Sequence, residues 1–386
     1  MRARHDALIV GGGPAGAAAA LLLARAGRDV LLIEREPGPH DKVCGEFVSI
    51  EAQRCLEALD VDAPGLGAVA LGRVRLSRGG RRAEAPLPFR ALSLSRRVLD
   101  EALLERAGAA GARILRGQRA VRAAQAGGIW HVETDRGGRH AARALFLATG
   151  KHDLRGFGRP PGIQNDLIGL KMHLRRTVGA ASADRVDLFL FDGGYGGLEP
   201  VEGGRVNLCL LVRRSRFAAL GRSWEALVGA IGGSCPAVAA ELADAAALWP
   251  RPLAIAAIPY GHVSREQGPD TLYRLGDQFA VVPSFLGDGM AVALYTAGLA
   301  VRAFVADEGA RAYGCAAAQE LGRAARLTTL LSLAAVRAPG QAAAMRAFAL
   351  FPALLPALAR RTRLGGRAPD RLPAGVGLAS ARAMPK

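Results

Sequence analysis

DALIVGGGPAG, residues 6–16, sets a short apolar run against a turn of glycines, and its two halves dictate opposite backbone behaviour. Asp6 to Val10 has the composition of a buried parallel strand, which the glycines break at once. PAGAAAALLLARAG, from Pro14, then reads as a helix closed by Gly27, and DVLLIE as the next strand. The unit is βαβ. Gly11, Gly13 and Gly16 supply GxGxxG spacing: the first permits a tight turn, the second lets backbone approach a pyrophosphate, and the third lets helix and strand pack closely. The amides that open the helix face the phosphates. Glu34 ends the second strand 18 residues after Gly16, where a carboxylate accepts hydrogen bonds from a ribose diol. A glycine turn without a ligand would leave Glu34 unexplained, so a dinucleotide site is expected. The same opening has a basic start and an uncharged run from Ala7 to Ala24, as secretory signals do. It parses residue by residue as strand, turn and helix, and is read as folded chain.

The 386 residues suffice for two or three packed units. Half are hydrophobic and 22% charged, which argues against disorder, and no segment reads as a clean membrane span. The formal charge of +17 invites a nucleic-acid reading. The basic residues, nearly all arginine, are spread along the whole chain, without zinc spacing or an aromatic-basic motif, so no nucleic-acid partner is expected. Anionic lipid, an acidic substrate or a redox partner suits such a surface better. Cys44, Cys55, Cys209, Cys235 and Cys315 form no CxxC pair and no metal-ligand spacing, which fits a reducing cytoplasm and no metal.

Further along, EAQRCLEALDV looks helical, and residues 66–92 show short alternating runs about the turn RGGRR. SRRVLDEALLERAGAAGARIL is an amphipathic helix ending in glycine, then a strand. Residues 119–150 read as a small antiparallel meander returning to a buried strand that ends at Thr149 and Gly150. From Lys151 to about Pro269 come longer strands, LIGLKMHLR, RVDLFLF and RVNLCLLVRR, broken by DGGYGGLEPVEGG and two helices. Residues 271–305 resume the first domain with a strand, an Asp, a loop and a glycine-led helix; 312–361 are Ala/Leu-rich and helical.

These pieces resemble the FAD-dependent oxidoreductases of the para-hydroxybenzoate hydroxylase fold. The likeness rests on GGGPAG with Glu34, SRRVLDEAL with its R-x-x-L-D-x-x-L pattern from Arg96 to Leu103, FLATG, and LGDQFAVVPSFLGDGM, and spans roughly residues 5–310. It implies an α/β fold: a Rossmann-type FAD-binding domain (glutathione reductase-2-like; 1–75, 92–158 and 270–310), an inserted antiparallel β-sheet substrate domain (76–91 and 159–269) and a C-terminal helical region (311–386). In that class the Asp of the late GD motif bonds the flavin's ribityl chain, which implies that role for Asp277 beside Gly276. The helix after it points its N-terminus at the ring, a role implied for Gly287, Asp288, Gly289 and Met290, and such a terminus stabilises negative charge on a reduced flavin. Arg96 is implied as a charged contact to the cofactor, its alternative being a solvated arginine at a helix start. Gly11, Gly13, Pro14, Ala15, Gly16, Glu34, Arg35, Lys42, Cys44, Gly45, Val121, Thr149 and Gly150 complete the implied cofactor set. FAD is favoured over NAD because a second flavin motif lies far down the chain; with no second GxGxxG after a later strand, electrons are expected from transiently bound NAD(P)H or a reduced protein donor.

Among subclasses, halogenases carry WxWxIP, whereas Trp130, Trp224 and Trp249 stand alone; aromatic hydroxylases usually show GDAAH, and this chain has GDQFA. The geranylgeranyl reductase group carries K-x-C-G and, late, P-x-x-G-x-G-I, close to Lys42–Gly45 and Pro283–Met290 here. GGYGGLEPVEGGRVNLCL only loosely resembles that group's YxWxFP pocket strand, and Gln278, Phe279 and Asp288 also depart from its usual residues. The resemblance implies Cys44 as a catalytic residue over the flavin and a long pocket for a hydrophobic isoprenoid, quinone or polyketide-like substrate; the alternative for Cys44 is a packed apolar cysteine. Tyr195 lines the pocket or is structural at a hairpin, His152 is an acid–base group or a surface residue, and Lys42 and Glu46 tune the loop or are exposed charges. A flavin monooxygenase and a non-catalytic flavoprotein or lipid-binding module remain alternatives to a reductase. The protein is expected in the cytoplasm, with peripheral membrane contact through the basic, apolar tail AFALFPALLPALARRTR.

Overall fold

The structure is a computed structural model that describes residues 4–176, 184–265, 268–283, 287–351 and 353–361. Val10 ends the first strand, Arg4–Val10, and the chain turns through Gly11 to Gly13 into the helix Pro14–Arg25 before returning as Val30–Glu34 parallel to the first. Gly11 takes φ +106°, and a Cβ there would lie 2.4 Å from the Ala148 carbonyl oxygen. Gly16 sits so close beneath the turn that its Cβ would fall 1.9 Å from the Gly11 carbonyl oxygen. Both are glycine for want of space, the first also for its backbone angle.

Around this unit forms a seven-stranded sheet in the order Arg113–Arg116, Val30–Glu34, Arg4–Val10, Arg139–Leu147, Ile129–Thr134, Ala120–Ala126, with Leu272–Arg274 beside Arg139–Leu147. The first four are parallel, the edge strand Arg113–Arg116 half-exposed and the inner ones largely buried, and the meander of 120–147 is antiparallel, as the sequence patterns imply. Helices Pro14–Arg25, Arg96–Ala109 and Gly289–Val305 cover one face; their alanines let them lie close, and Phe146 stacks on Tyr273 at 4.5 Å beneath them.

A second, nine-stranded sheet runs Ala245–Ala247, Leu167–Arg176, Arg205–Arg213, Gly194–Val201, Arg185–Phe191, Val69–Arg78, Arg81–Ser93, Phe47–Val48, with Leu253–Ala256 beside Leu167–Arg176. It differs from expectation in three ways. GYGGLEPV is not a break between strands but a strand in the middle of the sheet: Gly194 and Gly196 lack side chains because Phe191 and Phe189 fill that space. The sheet takes Phe47–Val48 and all of Val69–Arg78, beyond the expected start at residue 76, because the alternation in both strands pairs with Arg81–Ser93. One pair, Arg185–Phe191 with Val69–Arg78, is parallel, so the sheet is mixed.

Helices Trp224–Ser234 and Pro236–Leu242 pack on one face of this sheet through Leu170, Met172, Leu208, Leu210 and Val212. The opposite face turns toward the first domain. Helices Gly309–Ala335, Ala338–Leu350 and Leu354–Arg361 complete the described chain, where no single helix is long and apolar enough to cross a membrane.

Gly16→Ala is expected to cost about 1–3 kcal/mol, because the clash is with backbone that cannot swing away. Gly45→Ala, where no atom lies within 4 Å of the new methyl, should stay within about 0.5 kcal/mol. Urea midpoints of the two variants make the comparison.

Candidate functional site

Between the two sheets lies a cavity of about 1040 Å³. Its polar end is the glycine turn. Gly11, Gly13, Pro14 and Ala15 form one wall there, while Gly16 lies behind it against Gly11. Glu34 is buried and held by the amides of Gly12, which donates to Oε2 at 2.5 Å, and Glu36, which donates to Oε1 at 2.9 Å. Those bonds fix the carboxylate at the cavity edge with lone pairs to spare for a diol. Arg35, Val121, Thr149 and Gly150 line the same end.

Asp277 follows Gly276, which has φ +55° and whose N–H donates a hydrogen bond to Thr296 Oγ1 at 2.9 Å. Asp277 faces the cavity and lies 3.4 Å from Lys151 Nζ. Gln278, a departure in the sequence comparison, is fully buried and donates to the carbonyls of Gly150 (2.9 Å) and His152 (3.0 Å), so it fastens the loop after FLATG. Gly287, Gly289 and Met290 line the cavity, whereas Asp288 is buried at the start of Gly289–Val305, off the wall. Ser284, Phe285 and Leu286 of the PSFLGDGM motif lie outside the described residues. His152 stands near Arg35, Lys151 and Arg159, and burial together with those cations pushes its pKa down, which keeps the imidazole neutral.

Lys42, Cys44 and Gly45 form the waist of the cavity. Lys42 pairs with Asp100 at 2.9 Å, and Asp100 also receives Arg96 Nε at 2.7 Å and a terminal guanidinium nitrogen at 2.9 Å. Arg96 is therefore not a solvated arginine: burial opposes its charge, but Asp100 and Cys44 beside it outweigh burial and raise its pKa above the ordinary value. Burial raises the pKa of its partner Asp100, but Arg96 and Lys42 prevail and lower it, so the pair remains ionised.

Glu46 is the residue whose place the sequence did not reveal. It is fully buried with φ +63°, a conformation that costs a non-glycine residue about 1–3 kcal/mol unless its surroundings impose it. Here they do. Its carboxylate receives the Lys171 ammonium, His173 Nε2 at 2.7 Å and the Arg96 backbone amide at 2.9 Å, while its own amide donates to Cys44 Sγ at 3.4 Å. Burial raises its pKa, but Lys171 and His173 prevail and hold it below 4.5. Asp41 lies 3.7 Å from His173 Nδ1; a cation bound by Asp41, Glu46 and His173 would have to share Glu46 with the Lys171 ammonium. Lys171 and His173 escaped the sequence reading because they alternate with Leu170, Met172 and Leu174, the pattern of a half-exposed strand. Their face is covered instead: Val43 lies 3.1 Å from where a Gly169 Cβ would be.

The far end of the cavity is apolar, walled by Val186, Leu188, Leu211, Ile255, Ile258 and Leu355. Tyr195 lines it from a strand rather than a hairpin loop, its hydroxyl 3.2 Å from Ser332 Oγ. Cys209 is also on this wall, and burial pushes its thiol up to about 12, so it is an unreactive thiol.

Glu46→Gln is expected to destabilise the protein by about 3–5 kcal/mol at neutral pH, because it strands the Lys171 charge in the interior. The depressed pKa of Glu46 sets the sign: its contribution is present above 4.5 and lost as pH falls through the folded value, so the gap between wild type and variant should narrow in acid. Chemical denaturation across that range measures it.

Residues 4–128 match a family model described as an FAD binding domain. A menaquinone reductase of Mycolicibacterium smegmatis is 28% identical over 234 residues, covering 54% of this chain and 55% of its own. A digeranylgeranylglycerophospholipid reductase of Methanosarcina mazei is 36% identical over 120 residues, 30% of this chain and 29% of its own. The chain thus spans about half the length of the first of these curated relatives and under a third of the second. The solved structure of the halogenase PltM in complex with phloroglucinol and FAD superposes with a TM-score of 0.74 over 95% of this chain and 85% of that one, at 14% identity, a likeness of fold alone. By its FAD binding domain, its fold and a glycine cradle that leaves Glu34 facing the cavity, the chain is a flavoprotein with the fold of the FAD-dependent enzymes.

Proposed function

We propose that the protein is an FAD-dependent oxidoreductase that reduces a hydrophobic isoprenoid, quinone or polyketide-like substrate. The observation that carries this reading is the two-ended cavity: a glycine and carboxylate cradle opens through the waist at Cys44 into an apolar chamber, without a wall between. Such continuity lets a dinucleotide and an apolar substrate share one water-poor space. FAD, when bound, supplies hydride chemistry, with electrons from NAD(P)H or a reduced protein donor. Glu34 and the helix start at Pro14 would hold its adenosine and phosphates, and Asp277 and the start of Gly289–Val305 its other half. The reductase names of the two sequence relatives support reduction. The halogenase likeness does not argue for halogenation: Trp130 is a core residue bonded to Thr271 Oγ1 at 2.9 Å, and Trp249 lies tilted by 34° against the His173 ring.

In this reading Cys44 is the group that gives a proton to the reduced carbon. Its thiol is half-buried at the waist and positioned by the Glu46 amide and by Arg96. The C-terminal helix Leu354–Arg361 closes the apolar end with Leu355 and Leu358, and just before it Leu350 and Phe351 are 73% and 62% exposed. Exposed apolar side chains next to the substrate chamber, on a chain of +17 formal charge, fit delivery of the substrate from an anionic membrane surface. The rest of the tail, residues 362–386, lies outside the described residues.

The purified protein is expected to be yellow, with noncovalent FAD whose affinity falls in Glu34→Ala and in Asp277→Ala; unchanged affinity in both would refute the cradle. Cys44→Ala should keep FAD binding and flavin reduction yet slow substrate reduction by about 10²-fold, without stoichiometric oxygen uptake. Leu350→Ser with Phe351→Ser should reduce flotation with anionic liposomes while leaving turnover of a detergent-dispersed substrate intact.

A further inference from the structure

Glu199 stands on the strand Gly194–Val201, which the sequence patterns had not distinguished as a strand, and it lines the cavity while being only 4% exposed. It faces Asn207 across the antiparallel ladder. The Asn207 amide nitrogen donates to the Cys44 carbonyl at 3.1 Å, and the same side chain lies beside the Glu199 carboxyl, where its N–H only partly offsets burial. Glu199 Oε1 and Asn207 Oδ1 are both buried and have no hydrogen-bond partner. A buried carboxylate oxygen without a donor is costly, and one proton on the carboxyl turns it into a donor. Lys171 offsets a negative charge there only in part, because its ammonium is bonded to Glu46. The titratable groups around it are Glu46 and Cys44 from the loop, Lys171 from Leu167–Arg176, and Cys209 two residues along from Asn207. Burial first, then the proximity of Glu46 and Cys44, pushes the Glu199 pKa well above its ordinary value.

We infer that Glu199 is a hydrogen-bond donor to a carbonyl oxygen of the substrate, so that the cavity takes a hydrophobic quinone or enone rather than an isolated alkene. This rests on the reductase reading and names its substrate class. Glu199 is a neutral carboxylic acid on the cavity wall, where its O–H is offered to whichever acceptor enters the cavity. Conjugation gives that bond its use. Hydride adds at the carbon β to the carbonyl, the π electrons move onto the carbonyl oxygen, and the Glu199 O–H holds the charge that develops there. Return of the electron pair to the α-carbon, with the Cys44 proton, completes a saturated ketone; Cys44 is reprotonated from solvent. The two electrons come from the NAD(P)H or reduced protein donor of the proposed activity.

Two measurements, neither requiring turnover, test the inference. Wild type should lose stability relative to Glu199→Gln as pH rises above 4.5, since a raised folded pKa means that the folded state binds the extra proton. Parallel pH–stability curves would show an ionised Glu199 and overturn the inference. Second, 2-methyl-1,4-naphthoquinone and 2-methylnaphthalene are titrated into the oxidised FAD-loaded protein. Glu199→Leu should weaken the quinone by about tenfold or more and leave the hydrocarbon unchanged or tighter, with Glu199→Gln, which keeps an N–H donor, in between. Equal effects on both probes would overturn the inference. A quinone-selective loss in a protein that no electron donor reduces would instead keep the donor role and defeat the reductase reading.

Discussion

The buried Glu46 carboxylate is the joint on which the site depends. It sits in the loop that leaves the first βαβ unit, yet it receives Lys171 and His173 from the second sheet and the first amide of the helix Arg96–Ala109 from the first domain. Three separate elements thus meet on one carboxylate, and Cys44 is carried two residues away by the same backbone turn. A fully desolvated ion pair is poor as a source of stability but effective as a determinant of geometry, because any slip leaves a bare charge in the interior. The positive φ of Glu46 belongs to the same arrangement: only a turn of that hand brings the carboxylate inward while leaving Cys44 and Gly45 on the cavity wall.

From that joint the cavity grades in polarity. On one side stand Glu34, Arg96 with Asp100, Lys42 and Asp277; on the other, leucines, isoleucines and an unreactive Cys209. Arg96 and Lys42 share the single Asp100 carboxylate at the waist, so Gly13 faces a fixed cluster with one net positive charge, suited to an anionic phosphate. Glu199 interrupts the apolar side. Among side chains that mostly offer dispersion contacts, a buried carboxyl supplies orientation, which dispersion alone does not.

DALIVGGGPAG and Glu34 determined the first domain by themselves, because a strand, a tight turn and a close-packed helix leave glycine without alternatives at residues 11 and 16, and these constraints act within a few residues. The meander, the helix from Arg96 and the glycine-led helix after Asp277 were legible for the same local reason. What the sequence did not show was the strand Gly194–Val201, whose glycines read as a turn until Phe191 and Phe189 from the neighbouring strand are seen to occupy the side-chain space of Gly194 and Gly196. Likewise Lys171, His173, Glu46 and Glu199 resemble ordinary surface charges in sequence. Only the docking of the second sheet against the loop 41–46 removes their water, a property of the packed tertiary structure and not of any local pattern; that desolvation raises the pKa of both carboxyls, and the Lys171 and His173 bonds reverse it for Glu46 alone while Glu199 stays high.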